Sequence, residues 1–331
     1  MNTLHRLCCT PAIALLILIP LAAGTHTVRA EPAAIRAFSE TLADRHGWEA
    51  RRVEALLSDE AVRQPDIIEA IRQPAEALPW SRYRPIFLTE ARIDAGRAFK
   101  ERHRRWLTAV QERYGVPADI VTAIIGVETF YGRYTGRYRV IDALRTLGFG
   151  YPPRAAFFRD ELEAFLILAR EEGFDPTDPT GSYAGAMGIP QFISSSYRAY
   201  AVDFNDNGRR DLFSEPADAI GSIGHYLARH GWQADAPIAI PARVEGQQWQ
   251  TYLRDPLAPQ DTVGTLVAAG VHPSAPLSAE LEARLLQLQA EAGEAYWITL
   301  RNFYAITRYN HSALYAMAVH QLAERIGGDR S

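Results

Sequence analysis

Glu128 is a carboxylate in unusually apolar surroundings. It lies in GVETFYGRYTGRYRV, residues 126–140, just after the apolar run VPADIVTAIIG. In a helix, the residues three, four and seven positions earlier share its face, and these are Ile125, Ile124 and Val121. Desolvation by such neighbours disfavours the charged form, so we expect a raised pKa and a carboxyl that can donate a proton near neutral pH. The alternative is a glutamate at a helix end that reaches solvent or pairs with Arg133, Arg137 or Arg139.

A second chemically suggestive segment is GSYAGAMGIPQF, residues 181–192. Its glycines and alanines let the backbone approach a ligand closely. Ser182 and Gln191 flank the small residues with hydrogen-bonding side chains. The segment therefore predicts either part of a binding site or a plain tight loop.

A third segment, DFNDNGRRDLFSEPAD at residues 203–218, begins like a calcium-binding EF-hand loop. Asp203, Asn205 and Asn207 occupy ligand positions 1, 3 and 5, a glycine follows at position 6, and Arg209 can offer its carbonyl at position 7. Position 12 is Ser214, which cannot close the site as a bidentate carboxylate would. The alternative is a loop of Asx-turns that binds no metal.

The elements around these segments read mainly as helices. Apolar residues recur at helical spacing through residues 31–113 and 157–173. The apolar run predicts a helix over 116–131, with Pro117 in its first turn and Gly132 at its end. Shorter helices are expected around QFISSSYRAYA and over 218–231.

The pattern changes between about residues 234 and 300. APIAIPARVEG alternates apolar and polar residues, and EAYWITL is rich in aromatic and β-branched residues, so both are typical of strands. LSAELEARLLQLQ, residues 277–289, is interpreted as a helix-like piece within this small sheet. YAITRYNHSALYAMAVHQLAERIGG, residues 304–328, is expected to close the chain with one helix.

Composition excludes several classes of protein. The formal charge of −4 argues against a nucleic-acid-binding protein, which would carry a basic face. Lys100 is the one lysine of the chain and lies outside any glycine-rich loop, which excludes a Walker-type phosphate site. The nine histidines show no HExxH spacing, so no zinc site is proposed.

The first thirty residues are typical of a secretory signal, with Arg6, the apolar stretch Pro11–Ala23 and a cleavage site after Ala30. The alternative is an uncleaved membrane anchor, for which the stretch is short. Cys8 and Cys9 do not follow the apolar stretch, as the acylated cysteine of a lipoprotein would. The mature chain then has no thiol, so it has no disulfide, no cysteine nucleophile and no cysteine-ligated zinc. We expect a periplasmic monomer without obligate membrane insertion.

Five blocks of the chain resemble the membrane-bound lytic murein transglycosylase B family, in the family's order and over about residues 80–322. They are YGVPADIVTAIIGVETFYGRYTG, IDALRTLGFGYPPRAAFF, GSYAGAMGIPQFISSSYRAYAVDF, DAIGSIGHYLARHGW and NFYAITRYNHSALYAMAV. The resemblance implies an α+β fold, mostly helical, in which a lysozyme-like core is flanked by a helical lobe and a small β-containing lobe. It also implies the following division: a signal peptide over 1–30, a helical lobe over 31–115, the core with its calcium-type loop over 116–235, the β lobe over 236–300 and a segment returning to the core over 301–331.

The family cleaves the β-1,4 bond between N-acetylmuramic acid and N-acetylglucosamine in peptidoglycan without water and leaves a 1,6-anhydro end. The resemblance implies that Glu128 is the single catalytic residue of this chain. It implies substrate contacts from seven residues: Ser182, Gln191, Tyr226, Tyr304, Tyr309, Tyr83 and Arg154. The family commonly has two successive arginines where this chain has Pro153 and Arg154. In the family a later aspartate closes the calcium loop, and Asp218 takes that place here, one residue further on.

The chemistry implied by the resemblance needs no cofactor, and Ca²⁺ is expected to play at most a structural role. Glycan strands of peptidoglycan are the expected partner. The alternatives are a muramidase of lysozyme type that uses water, a non-catalytic peptidoglycan-binding scaffold, and a calcium-dependent structural protein.

Overall fold

The computed structural model describes residues 30–72, 78–255 and 257–328. The secretory signal predicted for residues 1–30 therefore lies almost entirely outside the described residues. In the described part of the chain, no helix combines the length and apolar character needed to span a membrane.

The described chain begins with six helices. Their bounds are α1 Ala30–His46, α2 Ala50–Ala55, α3 Pro65–Ala70, α4 Trp80–Phe87, α5 Glu90–Arg102 and α6 Arg104–Tyr114. A π-helical turn, Leu56–Glu60, continues α2. Leu42, Ile67 and Ile93 are completely buried, as the helical periodicity predicts.

The central helix of the core is α7, Ala118–Thr129, in which Val121, Ile124 and Ile125 are completely buried. The following helices are α8 Val140–Gly150, α9 Ala155–Glu172, α10 Ser194–Tyr200 and α11 Pro216–Arg229. Helices α5, α6 and α11 pack against α7, whereas α8 and α10 pack against α9. Two short strands, β1 Tyr138–Arg139 and β2 Thr180–Gly181, pair antiparallel.

Helix α7 ends two residues earlier than the predicted 116–131. Phe130 and Tyr131 both adopt left-handed backbone conformations, with φ of 50° and 62°. The amide of Tyr131 bonds the Ile125 carbonyl at 3.3 Å, and the Tyr131 hydroxyl bonds the Arg92 carbonyl at 2.9 Å. These bonds hold two non-glycine residues in the left-handed conformation, so the helix ends before Gly132, the predicted end.

A five-stranded antiparallel sheet follows the helical core, in the order β4-β6-β7-β3-β5. Its elements are β3 Ala239–Val244, β4 Asp261–Thr262, α12 Val263–Ala268, β5 Val271–Pro273, β6 Glu282–Ala290 and β7 Gly293–Thr299. The sheet has its own small core, which includes Val263, Leu266, Leu285 and Ile298.

The helix-like interpretation of residues 277–289 is wrong, because most of this segment forms β6. Strand β6 pairs with β7 from Arg284 opposite Thr299 to Ala290 opposite Gly293, so the two strands form a hairpin with a tight turn. The leucines of β6 bury themselves against the neighbouring strand and the core, and this long-range packing outweighs the local helical preference.

The closing segment forms two helices, so the prediction of one helix is wrong. Helix α13 spans Arg301–Tyr309, and α14 spans Ala313–Gly327. Ser312 begins α14 by accepting a hydrogen bond from the Tyr315 amide at 3.3 Å. Helix α14 then packs against α7. The mostly helical α+β fold class is confirmed.

Candidate active site

Glu128 lies in the last turn of α7, one residue before the helix ends at Thr129. The neighbouring Thr129 is buried, and its hydroxyl donates to the Ile189 carbonyl at 3.0 Å and accepts from the Gly132 amide at 2.9 Å. Glu128 itself is half-buried. The end of α7 is therefore fixed to the small-residue loop, and Glu128 stays partly exposed.

Tyr315 holds the carboxyl group of Glu128. Its hydroxyl donates to Glu128 Oε1 at 2.6 Å, and its side chain is 2% exposed. Burial raises the pKa of Tyr315 well above its ordinary value, and the negative charge of Glu128 raises it further. Tyr315 thus stays protonated and acts as a hydrogen-bond donor to Glu128.

Further aromatic side chains surround this pair. The rings of Tyr309 and Tyr315 are 6.3 Å apart and 7° from parallel, and the Tyr309 hydroxyl donates to the Pro190 carbonyl at 2.5 Å. Burial raises the pKa of Tyr309, with Glu128 as the next cause. Tyr226 lies 5.0 Å from the Tyr309 ring, is 6% exposed and donates its hydroxyl to the Arg308 carbonyl. The structure thus places Tyr309 next to the Glu128–Tyr315 pair and Tyr226 next to Tyr309.

Ser182 and Gln191 lie on the loop that is attached to the end of α7. The Ser182 hydroxyl accepts from the Ala186 amide at 3.1 Å. Gln191 has a left-handed backbone conformation, with φ of 51°, and its side-chain amide donates to the carbonyls of Thr135 and Gly188, each at 3.0 Å. Both side chains stabilise the loop and are partly exposed.

The other predicted contact residues lie in different settings. Tyr83 is 1% exposed and packs between the rings of Trp80 and Phe87. Tyr83 lies on α4, which packs against α14, the helix that carries Tyr315. Tyr304 lies on α13, with the guanidinium groups of two arginines, Arg301 and Arg308, 5.9 Å from its ring.

Arg154 packs its guanidinium over two phenylalanine rings, at 4.3 Å from Phe157 and 5.1 Å from Phe158. Burial lowers its pKa, and its Nη2 atom is buried without a hydrogen-bond partner. These contacts do not bring Arg154 to the cluster around Glu128.

Sequence reasoning missed Tyr315, the residue that bonds the carboxylate. With one continuous helix over 304–328, Tyr309 and Tyr315 would lie on different faces, because six residues correspond to about 240° of rotation beyond a full turn. The break at Ser312 reorients α14 and allows the two rings to stack. The Ser312 N-cap was the sequence signal that could have revealed this break.

The calcium-type loop has the backbone geometry of a tight oxygen-rich turn. The Asp203 carboxylate accepts from the amides of Asn207 at 3.0 Å and Gly208 at 2.7 Å. The Asn205 side chain also accepts from the Asn207 amide, at 3.2 Å, and the Asn207 side chain accepts from the Arg209 amide at 3.0 Å. The side-chain oxygens of the first three predicted ligands thus all accept hydrogen bonds from backbone amides of the same loop.

Asp218 closes this loop from α11. It is completely buried, and its two oxygens accept from the amides of Phe204 at 2.8 Å and Asp211 at 2.9 Å. Burial raises the pKa of Asp218, and the nearby charge of Asp203 raises it further. Over residues 30–72, 78–255 and 257–328, no group of three or more His, Cys, Asp or Glu side chains could hold a metal ion. A cation here would therefore need amide and carbonyl oxygens besides the two carboxylates.

The fold is that of the lysozyme-like lytic transglycosylases. The chain belongs to the transglycosylase SLT domain family, whose model matches residues 30–324. It is a lytic transglycosylase that acts on peptidoglycan.

The similar proteins match this chain over most of its length. Membrane-bound lytic murein transglycosylase B of Escherichia coli K12 is 39% identical over 299 residues, which cover 87% of this chain and 81% of that protein. The crystal structure of the soluble lytic transglycosylase SltB1 from Pseudomonas aeruginosa has a TM-score of 0.84 and 45% identity, and the match covers 89% of this chain and 98% of that one.

Two further structures contain bound molecules. Escherichia coli Slt35 in complex with calcium has a TM-score of 0.80 and 38% identity, covering 92% of this chain and 95% of that one. SltB3 from Pseudomonas aeruginosa in complex with NAG-anhNAM-pentapeptide has a TM-score of 0.78 and 32% identity, covering 90% of this chain and 80% of that one.

Proposed function

We propose that Glu128 is the catalytic residue and acts first as an acid and then as a base. The bond cleaved is the β-1,4 bond between N-acetylmuramic acid and N-acetylglucosamine, and the product carries a 1,6-anhydro-muramic acid end. The observation that carries this proposal is the half-buried carboxyl of Glu128, with one oxygen held by Tyr315 at 2.6 Å.

The proton moves twice in this mechanism. Glu128 first gives its proton to the glycosidic oxygen, and the bond from that oxygen to the anomeric carbon breaks. The 6-hydroxyl oxygen of the same muramic acid then attacks the anomeric carbon, and its proton passes to the Glu128 carboxylate. The enzyme returns to its starting form without consuming water.

An internal nucleophile makes a second carboxylate unnecessary. Ordinary glycosidases need one about 5 Å or 6.5–9.5 Å from the acid, to act as nucleophile or base. One side chain bonded to Glu128 is a tyrosine that burial keeps protonated. The anhydro sugar in the SltB3 complex is consistent with the same product here.

Substrate contacts are proposed for the residues around this carboxyl. Tyr309 donates to the carbonyl of Pro190, the residue after Ile189, and the Ile189 carbonyl accepts from Thr129 at the end of α7. Gln191 bonds the Thr135 carbonyl, and Ser182 lies on the same loop as Gln191. Tyrosine suits a sugar because its ring packs against CH groups while its hydroxyl forms hydrogen bonds. Tyr226, Tyr304 and Tyr83 are proposed as contacts at the sugar sites on either side, and Arg154 as a contact to a muropeptide carboxylate.

Calcium is proposed as a structural ion of the 203–218 loop. The residues fit a hard cation, since the oxygens of Asp203, Asn205, Asn207 and Asp218 and the Arg209 carbonyl would be its ligands. Asp203 and the completely buried Asp218 bring two carboxylates to this loop, and a divalent cation would offset their negative charge. The calcium complex of Slt35 supports this assignment.

The periplasm is the proposed location, because peptidoglycan lies there and residues 1–30 are typical of an exported chain. The mature chain is proposed to act as a monomer without an inserted segment. N-terminal sequencing of the exported protein tests this, and a sequence that starts at Glu31 is expected. A chain that still starts at Met1 would identify an anchor.

Replacement of the acid tests the catalytic proposal. Glu128→Gln keeps the shape of the side chain and an oxygen that can accept the Tyr315 hydrogen bond, but it cannot transfer a proton. We expect an unchanged circular dichroism spectrum and thermal midpoint, and loss of soluble product from purified sacculi. Undiminished release of product by this variant would contradict the proposal.

A further inference from the structure

An exposed aromatic side chain beside the proposed catalytic centre has no role in the chemistry described above. Tyr134 is 67% exposed, the highest value among the large hydrophobic side chains exposed in the described part of the chain. Its ring lies 6.1 Å from Phe130, in an edge-to-face arrangement at 66°. Phe130 and Tyr134 are together called the aromatic ledge.

The backbone of the ledge is held rigidly next to Glu128. The Tyr134 amide bonds the carbonyl of Thr129, the residue after Glu128, at 2.9 Å. The carbonyl of the following residue, Thr135, accepts the side-chain amide of Gln191 at 3.0 Å. Tyr134 is therefore anchored on both sides to residues of the site, although its ring is exposed.

The same loop lies directly against the segment that carries Ser182. Gly136 has a φ of 105°, and a Cβ at this position would overlap the backbone of Gly181 and the Ser182 amide. This close approach leaves no room for a side chain at position 136. The loop that carries Tyr134 thus lies against the backbone of Ser182, one of the proposed sugar-contact residues.

Two cations cover Phe130. The guanidinium of Arg92 lies 4.9 Å from its ring centre and that of Arg133 lies 5.2 Å from it. The cations therefore fix the Phe130 ring, and the neighbouring Tyr134 ring offers an uncharged aromatic surface to solvent. An aromatic face with a hydroxyl at its edge suits a sugar ring, because the ring packs against CH groups while the hydroxyl forms hydrogen bonds.

We propose that the aromatic ledge is an additional sugar-binding subsite, in which Tyr134 stacks on an N-acetylhexosamine ring of the glycan strand beyond the cleaved bond. This inference rests on the proposed function of the adjacent site. The ledge favours strands long enough to reach from Glu128 to Tyr134. It therefore determines a preference for glycan length and takes no part in proton transfer.

Binding of peptide-free β-1,4-linked N-acetylglucosamine oligosaccharides, short and long, tests this subsite. The measurement is calorimetry with the Glu128→Gln protein, which cannot turn the ligand over. Adding Tyr134→Ala is expected to weaken binding of the long oligosaccharide by about two- to tenfold, the range for loss of one aromatic contact, and to leave the short one unaffected. Adding Tyr134→Phe, which keeps the ring, is expected to retain the affinity within about twofold.

The control variant is Val267→Ala, which truncates another exposed apolar side chain, 41% exposed on α12 of the β lobe. It is expected to leave both affinities unchanged, and equal thermal midpoints would show that all variants are folded. Equal affinity of the Tyr134→Ala and parent proteins for the long oligosaccharide would overturn the subsite.

This outcome is separable from that of the proposed function. Anhydro products are measured with the wild-type enzyme, in which both Glu128 and Tyr134 are intact. If those products form while Tyr134→Ala leaves binding unchanged, the ledge proposal fails and the catalytic proposal stands. If Tyr134→Ala weakens binding while no anhydro product forms, the catalytic proposal fails and the subsite stands.

Discussion

Removing one hydroxyl group from the site provides a sharp test of its geometry. Tyr315→Phe deletes the donor that lies 2.6 Å from Glu128 Oε1 and keeps the ring that stacks on Tyr309. The side chain is 2% exposed, so the rest of its packing is expected to persist. The substitution therefore tests the hydrogen bond with little change in the core.

The size of the effect follows from the type of bond. A hydrogen bond to a charged group contributes about 1.5–3 kcal/mol. If this bond holds Glu128 in its reactive position, its loss is expected to lower the turnover rate by about tenfold to a hundredfold. Without the donor, the protonated form of Glu128 is also favoured, so the alkaline limb of the pH–rate profile is expected to move to higher pH.

The assay is the release of soluble products from purified sacculi across a pH series. Tyr296→Phe is the matched control, because it makes the same chemical change in the β lobe, where Tyr296 packs on Trp249. The control is expected to leave both the rate and the profile unchanged. An unaltered rate and an unaltered pH profile for Tyr315→Phe would refute the assigned role of this hydrogen bond.

Three further predictions concern stability. Gly126→Ala would place a Cβ 2.5 Å from the Tyr131 hydroxyl. The expected result is a loss of about 1–3 kcal/mol in the free energy of unfolding, measured by urea denaturation. An unchanged urea midpoint would contradict this packing. Burial lowers the pKa of His320 to about 4, below the unfolded value of about 6.5. The contribution of this shift to the unfolding free energy is therefore complete above about pH 6.5 and declines by up to about 3 kcal/mol as the pH falls toward 4. His320→Leu is expected to remove this part of the acid sensitivity, measured by urea unfolding at several pH values, and an equal acid sensitivity in both proteins would exclude it. Calcium at about a hundredfold excess over its Kd is expected to add about 2.7 kcal/mol to the unfolding free energy. A chelator is expected to reverse this gain, and the Asp203→Ala variant is expected to lack it. A thermal midpoint of the calcium-loaded wild type that does not change with chelator would contradict the calcium site.

Helical periodicity located most helices but could not detect long-range pairing. Helix α9 was predicted over 157–173 and spans Ala155–Glu172. The two ranges agree closely because the apolar spacing and the Gly173 that follows the helix are local signals. Strand β6 was misread because its leucines also fit a helical pattern, and its pairing with β7 depends on residues beyond the local window.

The candidate site shows the same division between local and long-range information. The aliphatic face beside Glu128 was readable from spacing, and Val121, Ile124 and Ile125 are indeed completely buried. The bond from Tyr315 was not readable, because it joins residues 187 positions apart and needs the break between α13 and α14. The raised pKa expected for Glu128 stays a prediction.

The calcium-type loop was the most local of the predicted sites. Its Asx-type turns follow from the Asp and Asn spacing, and the structure forms them. That Asp218 is completely buried and bonds two loop amides could not be inferred from that spacing, because it depends on how α11 packs beneath the loop. Whether the loop holds calcium stays a prediction.

The origin of the oxygen at the new muramic acid end tests the central claim most directly. Purified sacculi are digested in water enriched in heavy oxygen, and the soluble products are analysed by mass spectrometry. If Glu128 passes one proton out and back while the sugar closes on its own 6-hydroxyl, the products have the anhydro mass and contain no heavy oxygen. Reducing ends that carry the heavy isotope would show that water is the nucleophile and would contradict the account.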